Sequence, residues 1–146
     1  MSESLKERLR ADLNAARRER DKLRVLLLTT TLADVRNREI ELGRDAADAD
    51  VIDVVGRAIK RRREAAEQIR AAGRTELAER EEQEAGLLAA YLPPQLDDGT
   101  VRDLAKAAIA AGASNVGAVM AAIMPRIKGV FDGREANRIV REELGG

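Results

Sequence analysis

The chain has 146 residues, 45% of them hydrophobic and 36% charged, with only three prolines, which fits one domain or two small ones and argues for a folded, helical chain over a disordered one. Lys plus Arg is 26 and Asp plus Glu is 26, and the balance also holds separately on either side of residue 92, so no global charge pulls the protein toward nucleic acid or membrane and any such partner has to be met by a local patch. With no cysteine and no histidine, disulfides, thiolate zinc sites, Ser-His triads and the commonest general base at neutral pH are excluded.

The only aromatic residues are Tyr91 and Phe131, so the core has to be built from Leu, Ile, Val and Ala. The longest run of large aliphatic residues, Val25 to Leu28, is far too short to span a bilayer. Met1-Ser2-Glu3-Ser4 lacks the basic start and apolar stretch of a signal peptide. A cytoplasmic protein without a membrane segment is expected.

Ser4-Leu5-Lys6-Glu7 is a capping-box pattern that opens a first helix. Leu5, Leu9, Leu13 and Ala16 follow on one face. Arg17, Arg18, Arg20 and Lys22 crowd its end, where cations suit the helix dipole. Asp21 is placed to cap a second helix with the stripe Val25, Leu28, Leu32, Val35. Leu26, Leu27 and Ala33 widen that stripe, which predicts a helix buried on more than one side. Gly43 is the expected C-cap. Asp48 is the expected N-cap of a third helix along Val51, Val55, Ile59, Arg62, Ala66 and Ile69, ending at Gly73. Thr75 opens a fourth, which carries Leu77, Glu84, Leu87, Leu88 and Tyr91. Its charged middle, Arg80 to Glu84, is expected to be exposed, with Leu77 and the leucine-rich end holding it down.

Pro93 and Pro94 then stop the helix, because proline lacks an amide hydrogen and clashes inside one. Leu92 is also pushed away from helical dihedrals by the proline that follows it. Residues 91–96 therefore read as a stiff joint between an N-terminal helical domain, 1–92, and a C-terminal module, 93–146. In that module Asp97 caps a fifth helix with Val101, Leu104, Ala105, Ala108 and Ile109, which Gly112 ends. Ser114 is the expected cap of a sixth, with Val116, Val119, Met120 and Ile123 inward and Pro125 interrupting or bending it. Asp132-Gly133-Arg134-Glu135 opens a seventh, with Ala136, Ile139, Val140 and Leu144 as its apolar face. No stretch alternates with period two for long enough to be a strand. The fold class is all-α: about four helices, two of them long, then three smaller ones.

Catalytic signatures are missing. No phosphate-binding loop or dinucleotide fingerprint occurs. The carboxylates sit on charged faces, and none lies in the apolar context that would shift its pKa. Two basic features remain. Arg57 with Lys60-Arg61-Arg62-Arg63 wraps around the third helix and reads first as a solvated face, with Glu64 and Glu67 in pairing range. In the seventh helix Arg134, Arg138 and Arg141 share a face with Asn137, and Arg126 and Lys128 lie just before it. Two readings stand for this set. One is a phosphate-binding patch, helped by the amide-rich helix start. The other is a solvated amphipathic helix, partly neutralised by Glu135, Glu142 and Glu143. With so few aromatics, an RNA partner would be gripped by backbone and shape, because there is no platform on which to stack bases.

The C-terminal pattern resembles the signature of the GatB/YqeY family. The residues are Gly117-Ala118-Val119-Met120, then Met124-Pro125-Arg126-Ile127-Lys128-Gly129, Asp132-Gly133 and Ile139-Val140. Lys60-Arg61-Arg62-Arg63-Glu64, the stretch from Glu84 to Tyr91-Leu92-Pro93-Pro94-Gln95-Leu96, and Leu5-Lys6-Glu7-Arg8-Leu9 resemble its stand-alone YqeY proteins. The resemblance implies a helical bundle followed by a tail module. A similar module ends the B subunit of the tRNA-dependent amidotransferase, which converts mischarged Glu-tRNA(Gln) or Asp-tRNA(Asn) with glutamine as nitrogen donor. Similar modules also occur on some glutaminyl-tRNA synthetases. That subunit's catalytic body, with its ATP and metal sites, has no counterpart here, so no catalytic residue, cofactor or metal is implied.

What the resemblance implies is a non-catalytic tRNA-binding module in translation; the candidate docking residues are those of the basic set read from spacing, Arg126, Lys128, Arg134, Asn137, Arg138 and Arg141. Where the family usually reads Gly-Arg-Ala-Asp-Gly, this chain has Gly129-Val130-Phe131-Asp132-Gly133. The cation absent at Val130 shifts the expectation onto Arg126, Lys128, Arg134 and Arg138. Two alternatives stay open: an adaptor that docks the third and fourth helices on a synthetase or amidotransferase, and an accessory of a carbon–nitrogen ligase that uses glutamine as amido-nitrogen donor.

Overall fold

The computed structural model describes residues 3–145. Met1 and Ser2, the start of the stretch without a leader pattern, lie outside them. Among the described residues there are seven α-helices and no strand. They are α1 (Leu5–Arg18), α2 (Lys22–Leu42), α3 (Asp48–Ala71), α4 (Thr75–Ala89), α5 (Asp98–Ala110), α6 (Val116–Ile127) and α7 (Gly133–Glu143). The chain falls into two compact units, Met1–Leu92 and Pro93–Gly146.

In the first unit the caps follow local chemistry. Ser4 accepts the amide of Glu7 at 3.1 Å, and Asp21 accepts that of Arg24 at 3.1 Å. α2 ends on Gly43, whose φ of 70° is the left-handed conformation glycine adopts freely. α3 begins differently from expectation. Ala47 is its N-cap, and Asp48 is the first helical residue. The Asp48 carboxylate instead accepts the backbone N–H of Leu5 at 2.9 Å, so the start of α3 caps the start of α1. At the same turn Asp50 accepts the Ala47 amide at 2.9 Å and pairs with Arg44 at 2.8 Å.

The core of this unit gathers Leu9 and Leu13 from α1, Leu27, Leu28 and Val35 from α2, Val51, Val55, Ala58 and Ile59 from α3, and Ala85, Leu88 and Tyr91 at the C-terminal end. α3 and α4 form its most extensive helix pair, joined by a turn at Gly73 with φ 81°. Alanines set that contact: Ala66, Ala78 and Ala85 are all within 1% of complete burial. Leu77, expected to hold α4 down, is 47% exposed, and its neighbour Ala78 is the buried residue. A methyl side chain lets two helix backbones approach more closely than a leucine does, so the smaller residue takes the inward position.

α2 also departs from expectation. Its buried residues are Leu27, Leu28, Thr31, Val35 and Glu39, all on one side, while Leu26 is 59% exposed. The Thr31 hydroxyl donates to the Leu27 carbonyl at 2.8 Å, which satisfies it inside the helix. Glu39 is buried because Lys6 reaches it at 2.6 Å and the Ala46 amide donates to it at 2.8 Å. The Lys6 hydrogen bond, then the Ala46 amide, hold its carboxyl below the usual range.

α4 stops at Ala89, and helix does not resume before Asp98. Tyr91 anchors this exit. Its ring is buried, its hydroxyl donates to Asp12 of α1, and the Arg8 guanidinium lies over the ring, 4.6 Å from the centroid. Arg8 also donates to the Ala90 carbonyl at 3.1 Å.

The second unit has its own core of Val101, Ala105, Val119, Ile123, Ile127, Ala136, Ile139 and Val140. Asp97 caps α5 by accepting the Thr100 amide at 2.7 Å. The cap of α6 is Asn115, one residue after the expected Ser114, and it accepts the Ala118 amide at 2.8 Å. Pro125 does not interrupt α6, which runs on to Ile127. The proline sits in the last turn, where only the bond from its own nitrogen is lost.

Two measurements check this account. Leu9 is fully buried, so Leu9→Ala should cost about 2–5 kcal/mol of unfolding free energy by urea titration. Tyr91 is the only tyrosine and there is no tryptophan, so tyrosinate absorbance reports it alone. Burial, then the hydrogen bond to Asp12, raise its pKa well above the ordinary value, against smaller opposing effects of Arg8 and Arg24. The folded state thus keeps a proton that the unfolded state releases, and stability should fall as pH rises past about 10. Tyr91→Phe should remove that dependence.

Candidate nucleic-acid interface

The expected patch lies wholly in the second unit, at the end of α6, the following turn and α7. Buried Ile123 and Ile127 hold the end of α6 against the core. The turn then folds tightly: the amides of Val130 and Phe131 both donate to the Ile127 carbonyl at 3.0 Å, and Gly129 adopts φ 80°. Val130 returns its carbonyl to the Leu96 amide at 2.8 Å. Phe131 is half-buried and packs on the core. Val130 and Phe131 thus supply the turn with a backbone tie and a core contact.

Asp132 caps α7 by accepting the Glu135 amide at 3.4 Å. The Glu135 side chain is taken by Arg138 at 2.9 Å. At about 100° per residue, Arg134, Arg138 and Arg141 fall within about 60° of one another. Ala136, Ile139 and Val140 are buried on the opposite side of the helix.

The cations on that outer face differ in their partners. Arg138 pairs with Glu135, Glu142 and, at 3.8 Å, Asp98. Its hydrogen bond to Glu135 is the chief reason its pKa is raised. Arg141 donates to the Asn137 side-chain oxygen at 2.7 Å. Arg126, Lys128, Arg134 and Arg141 make no ion pair among the described residues, and all four are exposed. Arg134 stands in the first turn of α7, where the helix dipole is positive. An anion placed there would be favoured by both the side chain and the dipole. Of the six expected site residues, these four cations are open to a ligand, Asn137 orients Arg141, and Arg138 is committed to carboxylates.

Sequence reading missed Arg102. From α5 it donates to Glu143 at 2.7 Å and to Glu142 at 2.8 Å, which clamps the end of α7 to α5. The partners are forty residues apart in the chain, so no local pattern signals the pairing. The clamp also occupies two of the three acids expected to neutralise the patch.

Two cations of the α3 run pair across helices, while Arg57, Lys60 and Arg63 are exposed and make no ion pair among the described residues. Arg61 reaches Asp34 at 3.3 Å, and Arg62 reaches Glu84 at 3.3 Å. Among the described residues no group of three or more His, Cys, Asp or Glu could hold a metal ion, and no helix is long and apolar enough to cross a membrane.

The clamp carries a pH signature. The Arg102 hydrogen bond, first among several causes, lowers the Glu142 pKa. A lowered folded-state pKa gives stability that is present above the unfolded value, near 4.5, and lost as pH falls through the folded one. Arg102→Gln should therefore flatten the acid limb of stability below about pH 4.5, followed by circular dichroism in urea.

Residues 6–144 match the family described as Yqey-like protein. No curated protein matches the chain. The match takes in all seven helices except the first residue of α1. The chain belongs to the Yqey-like protein family.

Proposed function

We propose that this protein is a non-catalytic, cytoplasmic tRNA-binding module of translation, associated with the tRNA-dependent amidotransferase or with glutaminyl-tRNA formation. One observation carries the reading. Arg126 and Lys128 at the end of α6, and Arg134 and Arg141 on the outer face of α7, are exposed and without acidic partners among the described residues. An exposed arginine without a carboxylate is available for bidentate binding of phosphate. Phosphate contacts of this kind position a protein on RNA and carry little sequence information. Family membership adds support through the tail module shared with the amidotransferase B subunit. In this reading, residues 91–96 are the stiff joint that carries a three-helix tail after a four-helix bundle.

The set proposed to grip RNA is Arg126, Lys128, Arg134 and Arg141. Arg138 joins it only by giving up its carboxylates, and Asn137 acts by holding Arg141. The adaptor reading draws on a single observation, the 47% exposure of Leu77 on α4. That is one residue and not a strip.

Titration of tRNA across a salt series tests the proposal. Affinity should fall linearly on a log–log plot, with a slope that counts the engaged cations. Arg134→Gln should reduce that slope by about one and weaken binding at every salt concentration. Arg138→Gln should change binding far less. An unchanged slope for Arg134→Gln, or equal affinity for tRNA and arbitrary duplex RNA, would overturn the assignment.

A further inference from the structure

The breadth of the apolar stripe on α2 is left unexplained by the fold, because only one side of the helix is buried. Opposite that side, two of the most exposed large hydrophobic residues of the protein, Leu26 at 59% and Ile40 at 67%, stand on one line. The line runs Leu26, Thr30, Ala33, Asn37, Ile40, and all five are exposed. Their spacing alternates four and three, which is the seam of a heptad repeat. Leu26, Ala33 and Ile40 take one core position of the repeat, and Thr30 and Asn37 take the other. The spacing makes Thr30 and Asn37 the a residues and Leu26, Ala33 and Ile40 the d residues; the β-branched Thr30 at a beside Leu26 at d is the two-strand pairing, Ile40 at d is not, and Asn37 at a is the residue that fixes register and strand number.

The flanks of the seam carry opposite charge. Lys22, Thr29 and Arg36 lie on one side and Leu27, Asp34 and Glu41 on the other. In a parallel pair each flank meets the opposite flank of the second helix, five residues further on. Arg36 of one copy then faces Glu41 of the other, and Thr29 faces Asp34. An antiparallel pair would set the Lys22–Arg36 flank against itself and the two acids against themselves. Within one chain Glu41 pairs with Arg38 at 2.8 Å and Asp34 with Arg61 of α3 at 3.3 Å, while Arg36 makes no ion pair among the described residues. α1 and α3 pack on α2, and the seam lies opposite the buried residues of α2, with Asn37 at its α3 edge, where it lines a shallow groove with Val54, Arg57 and Arg61.

We infer that two copies of this chain associate through α2 as a parallel, in-register pair, with Asn37 against Asn37. The inference stands on a surface separate from the RNA patch and does not depend on it. Only Leu26 and Ile40 are large and apolar along the seam, so the association is weak and depends on concentration.

The chain has no cysteine, which makes the register directly testable. Asn37→Cys should give an oxidised covalent dimer at high yield, whereas Ala11→Cys on the exposed surface of α1 should give little. Sedimentation equilibrium of the parent, up to about 1 mM, would reveal even a millimolar association. Ile40→Glu should weaken it about tenfold or more, with unchanged circular dichroism. Leu26→Glu provides a second exposed variant should the first misfold. Glu41→Arg should weaken the dimer, and Arg36→Glu added to the same chain should restore it. A monomer throughout the concentration range would overturn the proposal. So would a dimer indifferent to Ile40→Glu and Leu26→Glu, or an Asn37→Cys chain that fails to cross-link.

Discussion

The controlling constraint on this protein is a core without rings. Only two aromatic residues are present in the whole chain, so neither unit can fill space with a few large side chains. Helices have to come close instead, and they do so where alanine faces inward. Ala58, Ala66, Ala78 and Ala85 are at or near complete burial along α3 and α4. Ala105 and Ala136 play the same part between α5 and α7. Dispersion falls off steeply with a small gap, so close backbones recover through many short contacts what a ring would supply by area. The single buried ring, Tyr91, is placed where α4 ends, and it brings a hydroxyl that must find a partner in Asp12.

Close packing of charged helices forces the charges to the rims, and there they tie helices together. Lys6–Glu39, Arg61–Asp34, Arg62–Glu84 and Arg102–Glu142 all join residues on different helices. Most of these pairs are partly solvated, and exposed ion pairs contribute little to stability one by one. Lys6–Glu39 is the exception in burial, since the glutamate side chain is only 5% exposed. Its carboxylate also takes a backbone amide, so its hydrogen-bonding capacity is better met than that of a bare ion pair. Such pairs set which helix faces which.

The same bookkeeping defines the cationic face of α7. Arg102 draws Glu142 and Glu143 toward α5, and Arg138 takes Glu135. The acids that could have quenched the whole face are thereby gathered at its edge. Arg134 and Arg141 remain open at the two ends of the helix, Arg126 lies in the last turn of α6 and Lys128 is its C-cap. A face that looks neutral in composition is therefore uneven in space.

Local chemistry was legible in the residue order. Proline, glycine and capping side chains act within a few residues of themselves, so the caps at Ser4, Asp21, Asp97 and Asp132 and the stop at Gly43 could be read directly, whereas α4 ends at Ala89, short of Tyr91 and the prolines. Hydrophobic period likewise identified Leu9, Leu13, Val51, Val55, Ile139 and Val140 as inward residues. What only the tertiary structure decided is whatever two distant segments decide together. Asp48 serves the start of α1 instead of its own helix, Ala78 displaces Leu77 from the α3–α4 contact, and Arg138 is spent on acids while Arg134 is not. Each outcome depends on which backbone lies within a few ångströms, and that distance is a property of the packed helices that no local window contains.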